Sequence, residues 1–255
     1  MQHRYVPDLG DFSKFAVIDA LSQQGSLHTA LIWYLVNPHE VKEAHNNDGK
    51  HTLYLEEDRV GYAQCNAALY RRFQAIHMTG EKHVGVYARH NVLPNMSYFS
   101  EPLSYDGQPF LSREAWRAGW LDRATSSAEN ADLVLLDPDN GLGSSRLSIR
   151  SGSAVKYAML DECNAFYANG DRTLVVYQHG HRQGTIPQQA DAALQRLTRK
   201  LGTPRGDAFA LRFHRGTSRC YLVVPARDQA ASMRERAKAM IDGAWGERGH
   251  FSLID

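Results

Sequence analysis

The sequence predicts an α/β protein built on a doubly wound, Rossmann-like and mostly parallel sheet. Short apolar runs alternate with segments of helical periodicity along most of the chain, as in successive βαβ units. The segment 132–137 contains four consecutive apolar residues and leads directly into Asp137-Pro-Asp-Asn-Gly141, which indicates a strand covered on both faces. Ligands bind beyond the carboxyl ends of strands in open α/β sheets. We therefore expect the functional site at that edge.

Length and composition favour one globular domain over residues 1–255. The chain is 43% apolar and 22% charged, so it can bury a large core. Its formal net charge of +1 argues against a strong nonspecific attraction to a phosphate backbone, although a local basic patch is compatible with it. Three widely spaced cysteines predict reduced thiols. Because no apolar run approaches the roughly 20 residues of a membrane span, we expect a cytoplasmic protein without a membrane partner.

The elements follow in order from the N-terminus. A helix is predicted at about 11–24, with Asp11 as its N-cap and Gly25 as its stop. An apolar strand at 30–36 follows, and Asn37 stands at its carboxyl end. The next predictions are a polar insertion around 43–58, a helix at 61–77, a strand at 83–88, a weaker strand at 96–100 and a helix at 112–128.

The same alternation continues after the strand at 132–137. The predicted elements are a glycine- and serine-rich loop to about 153, a helix at 154–168, a strand at 173–177, a helix at 187–201, strands at 208–213 and 220–224, a helix at 227–242 and a terminal strand at 251–254. The turn-like segment 215–218 indicates an antiparallel hairpin. The basic residues around this hairpin, which are solvated or contact phosphates, are Arg212, His214, Arg215 and Arg219.

The strand at 173–177 is followed by a second group of polar residues, which includes His179 and His181. If this strand is the neighbour of 132–137, both histidines lie at the same edge as Asp137 and Asp139. Carboxylates two residues apart can share a hard cation, and an imidazole suits a general base. Read from residue types alone, this edge predicts a metal-dependent phosphoesterase or nuclease that uses magnesium or manganese.

The chain also resembles the RlmJ-type adenine-N6 methyltransferases of large-subunit ribosomal RNA. Gly10-Asp-Phe-Ser-Lys14 matches the Asp-x-x-Lys pattern with which that family opens a helix. The segment 30–36 matches the strand that begins its cofactor site, and Asp137-Pro-Asp-Asn140 stands in the place of its Asp-Pro-Pro-Tyr motif. The resemblance covers the order of most elements and few residue identities.

This resemblance implies a methyltransferase-like fold that uses S-adenosylmethionine and acts on an amine of a nucleobase or nucleic acid. Asp137 and the carbonyl of Pro138 would hold the acceptor amine, because positioning an amine toward the methyl donor needs two nearby acceptors. The other catalytic candidates are Asp139, Asn140, His179 and His181. The candidates for cofactor binding are Asp11, Lys14, Asn37 and Pro138.

The sequence departs from the family pattern at three points. Asn140 cannot stack on a flipped base as an aromatic residue does, a contact worth about 1–3 kcal/mol per base. The strand at 30–36 ends in Asn37-Pro38 rather than in a glycine-rich turn. The predicted strand at 83–88 ends in Arg89-His90, where an acidic residue would bind the ribose hydroxyls. A non-catalytic binding module on a decayed methyltransferase fold is therefore a third alternative.

Overall fold

The computed structural model describes residues 1–36, 51–216 and 218–255. The predictions for Asn37 and for the insertion at 43–50 lie outside the described residues. The strands are β1 Thr29–Trp33, β2 Met96–Phe99, β3 Leu133–Asp137, β4 Gly141–Leu142, β5 Tyr157–Ala158, β6 Thr173–His179, β7 Phe209–Phe213, β8 Arg219–Val224 and β9 Phe251–Ile254. The helices are α1 Leu9–Leu21, α2 Tyr62–Cys65, α3 Ala67–Thr79, α4 Gly85–Arg89, α5 Arg113–Ser127, α6 Leu160–Tyr167, α7 Ile186–Leu201, α8 Ala230–Asp242 and α9 Ala244–Glu247.

Seven of these strands form one sheet in the order β2-β1-β3-β6-β8-β7-β9. The pairings among β2, β1, β3 and β6 are parallel, and those from β6 through β8 and β7 to β9 are antiparallel. The short strands β4 and β5 pair with each other beside this sheet. The predicted Rossmann-like α/β sheet with an antiparallel C-terminal hairpin is therefore confirmed, and β9 extends the hairpin side.

Helices cover both faces of the sheet, because alternate residues of each central strand enter different cores. Leu133 and Leu135 of β3 belong to the core that α1, α3 and α8 cover. Val134 and Leu136 belong to the core beneath α5, α6 and α7. We call these the α1 face and the α7 face. Within the described ranges, no helix has the length and apolarity needed to cross a membrane.

Several predicted boundaries and one predicted element type are wrong. Helix α1 ends at Leu21, before Gly25, and β1 ends at Trp33. The N-cap of α1 is Asp8, whose side chain accepts a hydrogen bond from the backbone N–H of Asp11, so Asp11 lies inside the first turn. The segment 83–88 is mostly helical, and Met96–Phe99 occupies the place beside β1. The predicted helix at 154–168 begins only at Leu160, because Tyr157 and Ala158 pair with β4.

A buried ion pair fixes the start of α6. Arg117 of α5 donates to both carboxylate oxygens of Glu162, and the side chains are 1% and 4% exposed. Glu162 also accepts hydrogen bonds from the Met159 backbone N–H and the Tyr34 hydroxyl. The carboxylate therefore joins α5, α6 and the end of β1, and its removal would leave a buried guanidinium without a counterion.

We expect Glu162→Ala to lower the free energy of unfolding by about 3–5 kcal/mol, because it breaks a buried and hydrogen-bonded ion pair. Urea unfolding followed by circular dichroism measures this loss. Glu235→Ala is the matched control, since Glu235 is exposed on α8 and a surface change shifts stability by about 0.5 kcal/mol or less. Equal losses in the two variants would contradict the role assigned to the pair.

Candidate functional site

The topological switch point of the sheet lies between β1 and β3. From β1 the chain passes to β2 on one side and then to β3 on the other side. In open α/β sheets the crevice beyond such a point is the usual ligand site. Trp33, the last residue of β1, is in register with Asp137, the last residue of β3. The strand end identified from the sequence therefore lies at this crevice.

Three charged side chains that are distant in sequence meet there. The ammonium Nζ of Lys14 lies 2.8 Å from Oδ1 of Asp11 and 2.9 Å from Oδ2 of Asp137. The whole residues are buried, with exposures of 0% for Asp11, 4% for Lys14 and 1% for Asp137. We call this group the Asp-Lys-Asp cluster. It connects the first turn of α1 to the end of β3.

The local sequence explains how α1 supplies two members of the cluster. Asp8 caps the helix, so its first turn contains Asp11. Residues three apart lie on the same side of a helix, which places Lys14 beside Asp11. That side faces the sheet edge, where Asp137 projects toward α1 in the alternating pattern of β3. The Asp-x-x-Lys spacing therefore forms a local ion pair that reaches a distant strand.

The cluster contains two carboxylates and one ammonium, and the pKa of each group differs from its ordinary value. Burial raises the pKa of Asp137 above its ordinary value and outweighs the opposing effect of the Lys14 charge. Burial raises the pKa of Asp11 in the same way. For Lys14, burial alone would lower the pKa, but Asp11 and Asp137 together hold it well above the ordinary value. Lys14 thus stays charged, and the carboxylates retain affinity for a proton.

Aromatic side chains surround the ammonium of Lys14. It lies 5.3 Å from the ring centroid of Trp33 and 5.4 Å from that of Tyr177, within the range of cation–π attraction. The Tyr87 hydroxyl donates to Oδ2 of Asp11 at 2.5 Å. These rings exclude water from the cluster and strengthen its electrostatic interactions.

Asp139 faces the first residues of the chain rather than Lys14. Its carboxylate lies 3.4 Å from the backbone amine of Met1 and accepts a hydrogen bond from Gln2. Burial raises the pKa of Asp139, but the Met1 amine and Lys156 together outweigh burial and lower it. The Met1 amine also donates to the Tyr34 carbonyl. Met1 thus lies beside the continuation of β1, next to the switch point.

The remaining catalytic candidates line a cleft of about 810 Å³ on the α7 face. Asn140, His179 and His181 contribute to this cleft, and Tyr157 of β5 forms another part of its wall. Pro138 is buried between Asp137 and the half-buried Asn140. The structure therefore brings the histidines to Asn140 and brings Lys14 and Asp11 to Asp137. Tyr177 connects the two groups, because its hydroxyl lies 3.2 Å from Nδ1 of His179.

The residues of this edge do not fit a magnesium or manganese site. Asp137 is paired with Lys14, and Asp139 is paired with the Met1 amine, whereas a hard cation needs carboxylate oxygens as its own ligands. In the part of the chain that the structure describes, no three His, Cys, Asp or Glu side chains are grouped closely enough to hold a metal ion. We derive no metal-dependent step from this arrangement.

Sequence reasoning missed several residues of the site. Trp33 and Tyr177 border Lys14. Tyr177 is the last residue of the strand predicted at 173–177, which is an available signal, whereas Trp33 lies within the strand predicted at 30–36. Tyr87 lies in the strand predicted at 83–88, and this prediction gives no reason to place its side chain at the site. The strand beside β1 is β2, and Glu101 lies two residues beyond it, so an acidic residue does follow this strand. Its carboxylate accepts hydrogen bonds from Arg123.

The basic residues near the hairpin do not form one patch. Arg219 is 4% exposed and lies over the Phe213 ring. His214 contacts Ser252, whereas Arg215 is exposed at the turn. A common phosphate-binding surface is therefore not formed by these side chains.

Comparison with models of known protein families gives no match, and no curated protein matches the chain.

We expect Lys14→Met to lower the free energy of unfolding by about 3–5 kcal/mol at neutral pH, because two buried carboxylates lose their counterion. The loss should shrink as the pH falls from about 8 to about 5. Without Lys14 the folded-state pKa values of Asp11 and Asp137 rise further. A raised folded-state pKa stabilises the protein at low pH, and this contribution disappears as the pH rises through that pKa.

Urea unfolding of both proteins across this pH range tests the expectation. Lys238→Met is the control, since Lys238 is exposed on α8. A deficit of constant size across the range would show that the two carboxylates do not titrate as the cluster requires.

Proposed function

We propose that the protein is a methyltransferase-like enzyme that uses S-adenosylmethionine to methylate an amine of a nucleobase or nucleotide. One observation carries the proposal. Asp11, Lys14 and Asp137 were singled out by a sequence resemblance, and Lys14 and Asp137 are 123 positions apart in the chain. In the structure they are in contact at the switch point of a Rossmann-like sheet. Such coincidence supports a shared role at the place where this fold binds ligands.

Asp137 is proposed as the group that holds the acceptor amine. An amine that donates to a carboxylate and to a backbone carbonyl is fixed in orientation, and Pro138 supplies a carbonyl in the adjacent position. When the amine nitrogen forms its new bond to carbon, it loses one proton. The raised pKa of Asp137, which results from burial, makes its carboxylate a suitable acceptor for this proton. Lys14 acts as a positioning residue because it fixes the Asp137 carboxylate from the α1 side.

The cleft on the α7 face, which Asn140 and not Asp137 lines, is proposed as the place of the nucleobase ring, whose amine would extend past Pro138 to Asp137. Asn140 offers an amide for hydrogen bonds to the edge of a base, and Tyr157 offers an aromatic ring in the same cleft. The backbone N–H of Asn140 donates to the Lys156 carbonyl at 2.9 Å. This hydrogen bond holds Asn140 beside the residue that precedes Tyr157. Tyr157 would then supply the stacking contact that Asn140 cannot make.

The crevice also has features that fit S-adenosylmethionine. Trp33 Nε1 and Gln2 Oε1 are buried without a hydrogen-bond partner, and unpaired buried polar atoms are suited to a polar ligand. The two carboxylates that share Lys14 favour a cationic ligand. Asp11, Lys14 and Trp33 would hold the cofactor, and Glu101 beyond β2 would bind its ribose hydroxyls in exchange for its hydrogen bonds with Arg123. When bound, this cofactor supplies an electrophilic methyl group.

We expect Asp137→Asn to reduce methyl transfer at least about 100-fold, because it removes the carboxylate that positions the amine and accepts its proton. Transfer of a labelled methyl group from S-adenosylmethionine to ribosomal RNA, DNA and nucleotides measures the activity. Asp122→Asn is the control at an exposed position of α5 and should retain full activity. Full activity in Asp137→Asn would overturn the proposed role, and no heat with millimolar S-adenosylmethionine in calorimetry would overturn the cofactor assignment.

A second variant tests the place of the base. Tyr157→Leu should raise KM about tenfold or more with a smaller change in kcat, because stacking on one aromatic ring is worth about 1–3 kcal/mol. Tyr157→Phe keeps the ring and should behave like the unchanged protein. The same KM in all three proteins would place the acceptor outside this cleft.

A further inference from the structure

A second cavity opens on the α1 face of the molecule. It has a volume of about 800 Å³ and is formed by the first residue of α1, the segment 51–62 and the turn between β7 and β8. Its apolar and aromatic wall consists of Leu9, Leu53, Tyr54, Val60 and Tyr62. No member of the Asp-Lys-Asp cluster lines it. No residue lines both this cavity and the cleft proposed for the nucleobase, so the two are distinct.

The charges around the cavity leave one cation available for a ligand. Arg59 is paired with Glu57 at 2.6 Å. Glu56 lies 3.3 Å from Nε2 of His77, a contact that is an ion pair only when the imidazole is protonated. Arg215 forms no ion pair with a carboxylate among the described residues, and its Nε donates to Nδ1 of His250 at 3.4 Å. A guanidinium in this situation recognises phosphate or carboxylate groups.

The surroundings of His250 are consistent with a neutral imidazole that holds Arg215 in place. Burial lowers the pKa of His250, and the Arg215 and Arg248 charges lower it further. Nε2 of His250 contacts the Val60 carbonyl at 3.1 Å, so Nδ1 is left to accept from Arg215. The histidine thus orients the guanidinium without neutralising it.

Tyr54 contributes its aromatic ring to the wall. The residue is 9% exposed and its hydroxyl is buried, so the ring and not the hydroxyl borders the cavity. Leu53 is 71% exposed beside it, which leaves an apolar surface at the mouth of the cavity. The cavity therefore combines an apolar and aromatic wall with the Arg215 guanidinium.

We propose that this cavity binds a nucleoside monophosphate, with its ring against the apolar and aromatic wall and its phosphate at Arg215. Pockets of about 300–1,000 Å³ accommodate ligands of this size, and apolar walls with few polar groups are typical of them. The site is additional to the proposed methyl-transfer site and does not depend on it.

Calorimetry with the full chain tests the site, with thymidine 5′-monophosphate as the probe because it contains no adenine. We expect the monophosphate to bind about tenfold or more tightly than thymidine, since a charge-assisted contact with Arg215 is added. Inorganic phosphate alone should bind more weakly than either compound. Arg215→Gln should lower the affinity for the monophosphate to the affinity for thymidine.

The controls separate this site from the methyl-transfer site. Arg199→Gln changes an exposed arginine of α7 and should bind the monophosphate normally, as should folded Asp137→Asn. Thermal unfolding confirms that each variant is folded. No binding at millimolar monophosphate, or binding that Arg215→Gln leaves unchanged, would overturn the proposal. Loss of binding in Asp137→Asn would also overturn it, because it would assign the nucleotide to the cleft beyond β3.

Discussion

The contact of Lys14 with Asp11 and Asp137 is the constraint on which the functional edge depends. An ammonium enclosed by protein is stable only with counterions and hydrogen bonds, so α1 must lie where its first turn reaches the end of β3. Gly10 leaves room in this turn for Arg219 of β8, because a Cβ atom there would lie 2.2 Å from a guanidinium nitrogen of that side chain. The same placement sets Tyr87 against Asp11 and the Lys14 ammonium near Trp33. One ion-pair cluster thereby fixes the relative positions of α1, β1 and β3.

The turn after β3 distributes its polar residues to different surroundings. Asp137 continues the strand alternation and faces α1, where it is buried with Lys14. Asp139 turns toward Met1, and Asn140 reaches the cleft on the α7 face. The three polar side chains therefore do not act as one acidic cluster, although they are nearly adjacent in sequence. This separation places Asp137 and Asp139 beside different cations and disfavours a metal ion shared between them.

The sequence carries most of the fold because its signals are local. The continuous apolar run at 133–136 is typical of a buried strand, and the residue spacing at 186–201 is typical of a helix. The strand predicted at 83–88 is wrong. Its apolar residues suit a strand, but Met96–Phe99 occupies the sheet position beside β1. For the site, residue type and strand ends identified Asp137 and His179. The contacts of Trp33 and Tyr87 depend on packing between distant segments, which no local pattern contains.

Asn140 stands where the methyltransferase motif that the chain resembles has an aromatic residue. This difference does not by itself argue against the proposed base-binding role. Position 140 is followed by β4, which pairs with β5, so Tyr157 is carried to the cleft that Asn140 lines. An aromatic ring and an amide then lie on the same wall, contributed by two segments rather than by one. Stacking requires a ring in the right place and not at a given position in the chain. The proposed base-binding wall depends on the β4–β5 pairing, because this pairing places Tyr157 beside the turn that follows Pro138.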